Sequence, residues 1–486
     1  MQKMSNMTKI QRVWCVIFLC FFLWVPLHFM GTSFVIFFLF LFLLLKMVGR
    51  PDRRYFIWGL FGAAFLLRVL VCIKLEPPIL SDFQTLLEAS VRFADGDWSF
   101  NVDEYFKLWP YQIGFVFVQG LFLKILNSVF FLKLINCLVT AGICVLIYQI
   151  SQNFVKETYA RTVAVLYAVL PFPVTYVTVL SNQHLATFLI YFAIYILVSK
   201  NAERKETGRY VVAGGMIAVS NVIRPEGIVP VFAIVLFLLL TVSRQKIKKT
   251  IINILAVSGS YFVLFALIGN LFIATGLSPE GLTNPAPHWK FVCGLNYESS
   301  GMYAKSDVWL QEDGREEEAR EIIKERILDA PEKISELFMD KMEIFWMDPS
   351  FEWTLECLPD DNAQEKGEES QEDPVLEWLE DYETYTRLTI YILVVAGVFF
   401  SMLMRQKYND KILIFINLVF ITFGVYLLIE IQTRYVYFIQ IATFILAGPG
   451  IQTLEKMYKK YIAQLADKKG ERKHENTSSI YRDPLL

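Results

Sequence analysis

Long apolar segments alternate with short polar links along most of this chain. A helix needs about 20 apolar residues to cross a bilayer, and the sequence offers thirteen candidate windows, two of them short. This pattern predicts an all-α polytopic membrane protein with about 12 to 13 transmembrane helices. The windows are 12–30, 33–48, 56–75, 110–126, 129–150, 158–178, 182–199, 209–220, 225–242, 250–274, 387–405, 411–429 and 435–453.

Composition supports the same fold class. Of the 486 residues, 55% are hydrophobic and only 19% are charged, which is more apolar surface than one soluble core can bury. The formal net charge is −2, and no nucleic-acid partner is expected. The first apolar run, from Trp14 to Phe29, lacks a small-residue cleavage site, which predicts a retained first helix.

Charge is strongly segregated and predicts the topology. The segment 276–386 carries 29 Asp and Glu residues against 9 Lys and Arg, and we expect it outside the cell. The basic links should be cytoplasmic by the positive-inside rule; they lie at 46–54, 200–209, 243–249 and 405–411. Four regions follow from this assignment: an N-terminal transmembrane module, 1–275, with a first external loop at 76–109; an acidic extracytoplasmic domain, 276–386; C-terminal transmembrane helices, 387–453; and a cytoplasmic tail, 454–486.

Counting spans from the two ends gives conflicting sides if 110–126 crosses the membrane. One segment between residues 76 and 128 is therefore predicted to be re-entrant or interfacial. The helical pattern after Asp82 predicts one face towards the membrane, with Leu86, Leu87, Ser90 and Phe93, and another towards water, with Glu88, Arg92 and Asp95. The polar stretch 359–374 is predicted to be disordered.

Two of the seven cysteines, Cys293 and Cys357, lie in the polar segment, where a disulfide between them remains an open alternative. The other five lie in apolar runs and are expected to act as small hydrophobic residues.

Ionisable residues at membrane depth are costly, so each is a functional candidate. Asp82 follows Ser81 at the outer end of a span; either of the two residues is alternatively a helix N-cap. "VIRPEGIVP" at 222–230 places Arg224 and Glu226 near the outer side, where the alternative is an internal ion pair.

"EIQTRYVYF" at 430–438 adds Glu430, Arg434 and Tyr435 at the outer rim. The competing interpretation of these residues is an interfacial anchor in an aromatic belt. For Asn182, Gln183 and His184 in "LSNQHLA", an ordinary polar turn is the favoured interpretation.

A carboxylate and two arginines on one side of a membrane suit transfer from a lipid-linked sugar. Cations bind the lipid phosphate, which leaves without needing a proton. A carboxylate then deprotonates the acceptor hydroxyl as a general base, and attack opposite the phosphate inverts the anomeric centre.

Several stretches after residue 60 together resemble the GT-C superfamily of polyprenyl-phosphate-sugar-dependent glycosyltransferases, in the branch of protein O-mannosyltransferases and aminoarabinose transferases. The external "CGLNYESSGMYAKSD" is similar to a segment of bacterial, especially Gram-positive, members. The other matching stretches are the Arg68-containing span ending in "PPILSD", then "FADGDW", "LWPYQIGFVFV", "YARTVAVLYAVLPFPVTYVTVLSNQ", "NVIRPEG" and "EIQTRY".

The resemblance implies a GT-C-like fold and a catalytic Asp at Asp82. We expect Arg224 and Arg434 to bind the donor phosphate. Three residues are expected to orient them, Glu226, Glu430 and Tyr435, and three to line the acceptor path, Trp109, Tyr111 and Asn182. Asn182 or Gln183 stands where the family often has an acidic residue, so no cofactor is expected and a divalent metal is not favoured.

The sequence thus predicts a multi-pass enzyme of the cell membrane with its active site on the extracytoplasmic side. It would transfer a sugar from an undecaprenyl-phosphate-type donor to a cell-wall polymer, glycolipid or protein. The alternatives are a lipid-linked glycan flippase or transporter, which should carry polar residues through paired broken helices, and an outer-face polysaccharide polymerase, which the physical arguments do not separate from the first reading.

Overall fold

The fold was analysed in a computed structural model. It describes residues 10, 11, 13–15, 17, 18, 52–199, 206–311, 314–328, 331–358, 374–403 and 409–480. Over these residues the regular structure is helical, and no strand occurs. The predicted windows 12–30 and 33–48 lie largely or wholly outside the described residues, as does nearly all of the stretch 359–374.

Seventeen α-helices are numbered here in chain order from residue 53 onwards, within the described part of the chain. They are α1 Arg53–Lys74, α2 Ser81–Ala94, α3 Glu104–Leu108, α4 Ile113–Ile125, α5 Val129–Ser151, α6 Glu157–Ala168, α7 Pro171–Thr175, α8 Gln183–Val198, α9 Glu206–Ile223, α10 Ile228–Leu240, α11 Ile247–Ala274, α12 Pro287–Gly294, α13 Glu316–Leu328, α14 Pro331–Trp346, α15 Pro374–Leu403, α16 Leu413–Leu428 and α17 Val436–Ile480. Single 3-10 turns precede α4, α11, α16 and α17.

The predicted all-α polytopic membrane fold is confirmed. Among the described residues, six helical stretches are long and apolar enough to span a bilayer, and a pair bent by 60°, Glu157–Ala168 with Pro171–Thr178, makes a possible seventh. Other predicted windows form shorter helices, such as α4 with 13 residues and α8 with 16. The six are Arg53–Lys74, Val129–Ser151, Arg244–Ala274, Pro374–Phe400, Asp410–Leu428 and Thr433–Gln464.

Close helix packing depends on glycine at two crossings. A Cβ on Gly214 of α9 would overlap the carbonyl of Val257 on α11, and a Cβ on Gly450 of α17 would overlap the carbonyl of Leu393 on α15. Small residues let helix backbones approach closely, which is the main source of helix association where the surroundings are themselves apolar.

The first loop (residues 76–109) packs on the protein. Leu86, Ser90 and Phe93 are buried, and Ser90 Oγ donates to Gln119 Oε1 of α4 at 2.8 Å. A Cβ on Gly120 of α4 would overlap the Phe93 ring. The prediction that this face of α2 turns to the membrane is therefore wrong, because α4 provides its apolar partner.

The long segment (residues 276–358) also packs against the membrane helices. Its helix α14 ends in Phe345 and Trp346, whose rings lie 5.3 Å from Phe423 of α16 and 5.5 Å from Tyr391 of α15. Cys293 and Cys357 are both free thiols, so the disulfide left open by the sequence is not formed.

Candidate active site

The site is built around the rim segment (residues 429–435), which joins α16 to α17. Helix α16 ends at Leu428, a single turn covers Thr433–Tyr435, and α17 begins at Val436. This short connection carries three of the predicted site residues, Glu430, Arg434 and Tyr435. Their side chains are held by residues from the first loop, the α9–α10 turn and the long segment.

Arg434 connects the rim segment to the first loop. Its guanidinium lies 4.7 Å from the ring of Phe83 and 5.1 Å from the ring of Trp353, and its side chain is largely buried. Its Nε donates to Gln432 Oε1 at 2.6 Å. Because Phe83 follows Asp82 in α2, this stacking brings the predicted catalytic carboxylate next to the predicted phosphate-binding cation.

Asp82 is half-buried in the first turn of α2. The cap position is Leu80, with no side-chain cap hydrogen bond, so the N-cap interpretation of Ser81 or Asp82 is wrong. Ser81 has a φ of +54°, a left-handed conformation that is uncommon for a non-glycine residue. Strained backbone of this kind is concentrated at functional sites.

The Asp82 carboxylate faces tyrosines of the first loop. The pKa of Tyr105 in α3 is raised, mainly by burial and then by the charge of Asp82. Burial likewise raises the pKa of Tyr111 to about 12, with Lys290 opposing the shift and Glu430 and Asp82 adding to it. Tyr111 therefore lies among the charged groups of both the first loop and the rim segment.

Arg224 approaches the same place from the turn between α9 and α10. It forms an ion pair with Glu226, and its Nη1 donates to Asn182 Oδ1 at 3.0 Å. Its guanidinium also lies 5.3 Å from the ring of Tyr435. The internal ion pair considered from the sequence is present, and it places Arg224 at the rim segment. Tyr426 of α16 donates to Glu226 at 3.1 Å, which fixes the carboxylate.

The stretch 182–184 is not an ordinary polar turn, because all three of its side chains are buried. Asn182 Nδ2 donates to Gln112 Oε1 at 3.2 Å, and Gln183 Nε2 donates to the carbonyl of Arg434 at 3.1 Å. His184 instead lies against Tyr437 in the core. Asn182 thus contacts the site through Arg224, and Gln183 supports the backbone of the rim segment.

Glu430 pairs with a cation that the sequence analysis missed, Lys290 at the end of "PAPHWK". The two side chains form an ion pair, and the Glu430 backbone N–H donates to the Lys290 carbonyl at 2.8 Å. Burial disfavours both charges, but their mutual attraction outweighs it, so the pKa of Lys290 is raised and that of Glu430 is lowered. Lys290 is the first basic residue of the acidic segment, a signal that was available in the sequence.

Glu430 does not bind Arg434 directly. Gln432 Nε2 donates to Glu430 Oε1 at 2.9 Å, and Gln432 Oε1 accepts from Arg434. The predicted orientation of Arg434 by Glu430 therefore passes through Gln432, a residue without charge that the sequence analysis did not select. Tyr435, the third predicted orienting residue, lies between Arg224 and Tyr426, with whose ring it stacks at 5.0 Å.

Trp109 lies on an aromatic wall beside these charges. Its ring is 4.7 Å from Tyr105 and 6.4 Å from Trp289 of the long segment, and Tyr303 lies 6.0 Å from Trp289. The wall joins the first loop to the long segment. Within the described residues, no group of three or more His, Cys, Asp or Glu side chains is arranged to hold a metal ion.

The structure therefore gathers Asp82, Arg224, Arg434, Glu226, Glu430, Tyr435, Tyr111 and Asn182 around one rim, with Trp109 beside it. Three cations, Arg224, Lys290 and Arg434, meet one carboxylate that no cation neutralises by a salt bridge in the described part of the chain. Such an arrangement binds an anionic group and leaves a carboxylate beside it to accept a proton.

Comparison with known proteins gives a family for part of the chain. Residues 112–270 match the family described as dolichyl-phosphate-mannose-protein mannosyltransferase. This match confirms the prediction of a membrane glycosyltransferase of the GT-C type. No curated protein matches the sequence.

Solved structures of an archaeal oligosaccharyltransferase are similar at low identity. The AglB protein from Archaeoglobus fulgidus, in complex with an inhibitory peptide and a dolichol-phosphate, has a TM-score of 0.46 and 13% identity over 85% of this chain and 52% of its own. The Archaeoglobus fulgidus enzyme tethered to an acceptor peptide has a TM-score of 0.45 and 12% identity, over 84% of this chain and 51% of its own. The present chain thus spans about half the length of these structures.

Proposed function

We propose that this chain, a membrane glycosyltransferase of the GT-C type, transfers a sugar from an undecaprenyl-phosphate-type lipid to an extracytoplasmic acceptor. The observation that carries the proposal is the stacking of Arg434 on Phe83 at 4.7 Å, which brings a buried cation to the residue that follows Asp82. The family match supports a donor in which the sugar is linked to a lipid phosphate.

In this proposal the lipid phosphate binds Arg434 and Arg224, with Lys290 as a third cation. Gln432 holds Nε of Arg434, and among the described residues its two terminal nitrogens have no protein acceptor. A guanidinium presents these nitrogens as a fork that fits phosphate oxygens. Glu226 and Gln432, the latter backed by Glu430, fix the directions of the two guanidinium groups.

Transfer then requires one proton movement. Asp82 accepts the proton of the acceptor hydroxyl, and the hydroxyl oxygen forms a bond to the anomeric carbon. The bond between that carbon and the phosphate oxygen breaks, and the lipid phosphate leaves with the electron pair. Attack from the face opposite the phosphate inverts the anomeric centre. The three cations stabilise the charge that develops on the leaving phosphate, so the scheme uses no metal ion.

The acceptor is proposed to enter along the aromatic wall, past Trp109 and Tyr111, on the extracytoplasmic side. The distribution of charge supports this orientation, because the long segment and its continuation to residue 386 are acidic while the short links are basic. Cell-wall polymers, glycolipids and proteins all offer a hydroxyl acceptor at that surface. The origin in a bacterium likewise remains a prediction from the resemblance.

The test is Asp82→Asn in membrane vesicles supplied with a set of undecaprenyl-phosphate-linked sugars and washed cell-envelope acceptor. Loss of a general base should lower transfer by about 100-fold or more. Asp95→Asn is the matched control, because Asp95 ends the same helix and is exposed. Full transfer by a folded Asp82→Asn variant would contradict the proposal, and movement of the lipid-linked sugar across the membrane without transfer would favour a flippase.

A further inference from the structure

The rim segment receives hydrogen bonds from the long segment along most of its length. The Glu430 N–H donates to the Lys290 carbonyl at 2.8 Å, and the Ile431 N–H donates to the Gly301 carbonyl at 3.0 Å. Two residues further on, Ser350 Oγ donates to the carbonyl of Thr433 at 2.9 Å. The conformation that presents Glu430 and Arg434 is therefore set by the long segment as well as by α16 and α17.

Lys341 of α14 makes the most concentrated of these contacts. Its side chain is fully buried, and its Nζ donates to the carbonyls of Tyr426, Leu427 and Ile429 at 3.0, 3.1 and 2.8 Å. These carbonyls close the C-terminal end of α16, where backbone acceptors have no intrahelical partner and the helix dipole is negative. One ammonium group thus fixes the point at which the helix gives way to the rim segment.

Gly301 holds the Lys341 side chain in place. A Cβ at Gly301 would overlap Lys341 Cε, and the φ of Gly301 is +77°, a conformation suited to glycine. The same residue accepts from the Ile431 N–H. Lys341 therefore passes beneath a backbone turn that itself binds the rim segment, and the two contacts depend on each other.

A stabilising role alone is a weak explanation for a buried lysine at this place. Removing an ammonium group from water is costly, and an apolar side chain of similar size is often equally stabilising. What an apolar residue cannot supply is three directed donors to carbonyls immediately before Glu430. The contact is specific to the segment that bears the proposed phosphate-binding residues.

We propose that Lys341 is a positioning residue that fixes the rim segment so that Glu430 and Arg434 are correctly placed for the lipid phosphate of the donor. This inference rests on the proposed function of Arg434. Lys341 acts through the α16 terminus and does not touch the donor itself.

The probe is undecaprenyl phosphate, with undecaprenol as the ligand that lacks the phosphate, bound to the full chain in lipid nanodiscs. Lys341→Met removes the three donors at similar volume and should raise the Kd for undecaprenyl phosphate by about tenfold, with little effect on undecaprenol. Lys333→Met is the matched control, because Lys333 is exposed on the same helix. It should bind undecaprenyl phosphate as the wild type does.

The dependence of binding on pH separates positioning from simple support. Burial lowers the pKa of Lys341 to about 7, against the opposing charge of Glu430 on the rim segment. The other charged neighbour in α14, Asp340, is bound by Ser300. Above this pH the amine has two N–H groups for three carbonyls, so wild-type affinity should fall between about pH 6 and about pH 8 relative to Lys341→Met, which lacks the titrating group.

A second variant keeps the amine and disturbs only its place. Gly301→Ala should also weaken undecaprenyl phosphate binding, because the new methyl group displaces Lys341. Gly314→Ala is its control, since Gly314 has a similar φ of +83° but open space around its Cβ position. If Lys341→Met fails to fold, the comparison of the two glycine variants decides the question.

Arg434→Ala, measured in parallel, distinguishes the two levels of the argument. Wild-type affinity for undecaprenyl phosphate in Arg434→Ala would overturn the proposed function. Weakened binding in Arg434→Ala, but wild-type binding in both Lys341→Met and Gly301→Ala, would overturn the positioning role alone.

Discussion

The guanidinium of Arg434 lies 4.7 Å from the ring of Phe83, although the two residues are far apart in the sequence. The Trp353 ring lies 5.1 Å from the same guanidinium and 5.3 Å from the Phe83 ring. First loop, long segment and rim segment therefore meet at one cation. A site assembled in this way is sensitive to changes that leave the charged residues themselves untouched.

Phe83→Leu should weaken binding of undecaprenyl phosphate while preserving the fold. The substitution keeps an apolar side chain but removes the ring face, and a cation–π contact is worth about 0.5 to 2 kcal/mol. The expected rise in Kd is therefore about 2- to 30-fold. Phe100→Leu, in the core of the first loop, serves as control; equal effects of both variants would show that only packing matters.

Lys290→Met should destabilise the protein by about 1 to 3 kcal/mol, because it leaves the buried Glu430 carboxylate without its cation. Adding Glu430→Gln to the same chain should restore most of the loss. Thermal unfolding of the two single variants and the double variant in detergent gives the coupling between them. Additive effects of the two substitutions would contradict a direct ion pair.

The same pair predicts a dependence of stability on pH. Because Lys290 lowers the pKa of Glu430 despite burial, the pair stabilises the protein above the ordinary Glu pKa of about 4.3. This contribution is lost as pH falls through the folded-state value. The unfolding temperature of the wild type should thus approach that of the Lys290→Met/Glu430→Gln variant only in acid, and a difference that vanishes near pH 7 would rule the pair out as its source.

Asn182→Asp should reduce affinity for undecaprenyl phosphate several-fold. The new carboxylate would face Nη1 of Arg224, which already donates to Asn182 at 3.0 Å, and would compete with the phosphate for this cation. Asn101→Asp adds the same charge in the first loop and should leave the Kd unchanged. Tighter binding in Asn182→Asp would exclude Arg224 from the phosphate site.

Trp109→Ala should raise the KM for the acceptor and leave binding of undecaprenyl phosphate within about twofold of wild type. Trp109 contacts Tyr105 and Trp289 on the aromatic wall, and truncation of a tryptophan at a binding surface commonly costs more than 1 kcal/mol. Initial rates at varied acceptor concentration measure the effect. A change confined to the donor would place Trp109 on the other side of the reaction.

The sequence alone determined the class of protein and the main candidates at its site. Hydropathy is a local property, and a bilayer permits few alternatives to a helix, so the spans follow from the order of residues. Asp82, Arg224 and Arg434 could be selected because ionisable groups near lipid need a reason to be there. Even Lys341 left a signal, since it lies at helical spacing from Ile334, Leu337 and Phe338 on the packed face of α14.

Only the tertiary structure decided what these residues do to one another. Lys290, Gln432 and Lys341 are ordinary polar residues in the sequence, and each matters because another part of the chain supplies its partner. The N-cap at Asp82, the membrane-facing side of α2 and the polar turn at 182–184 were wrong for the same reason: local patterns do not show which surface a neighbouring segment will cover. Burial and pairing depend on contacts between distant residues, and at this rim those contacts set the charge, direction and exposure of each group.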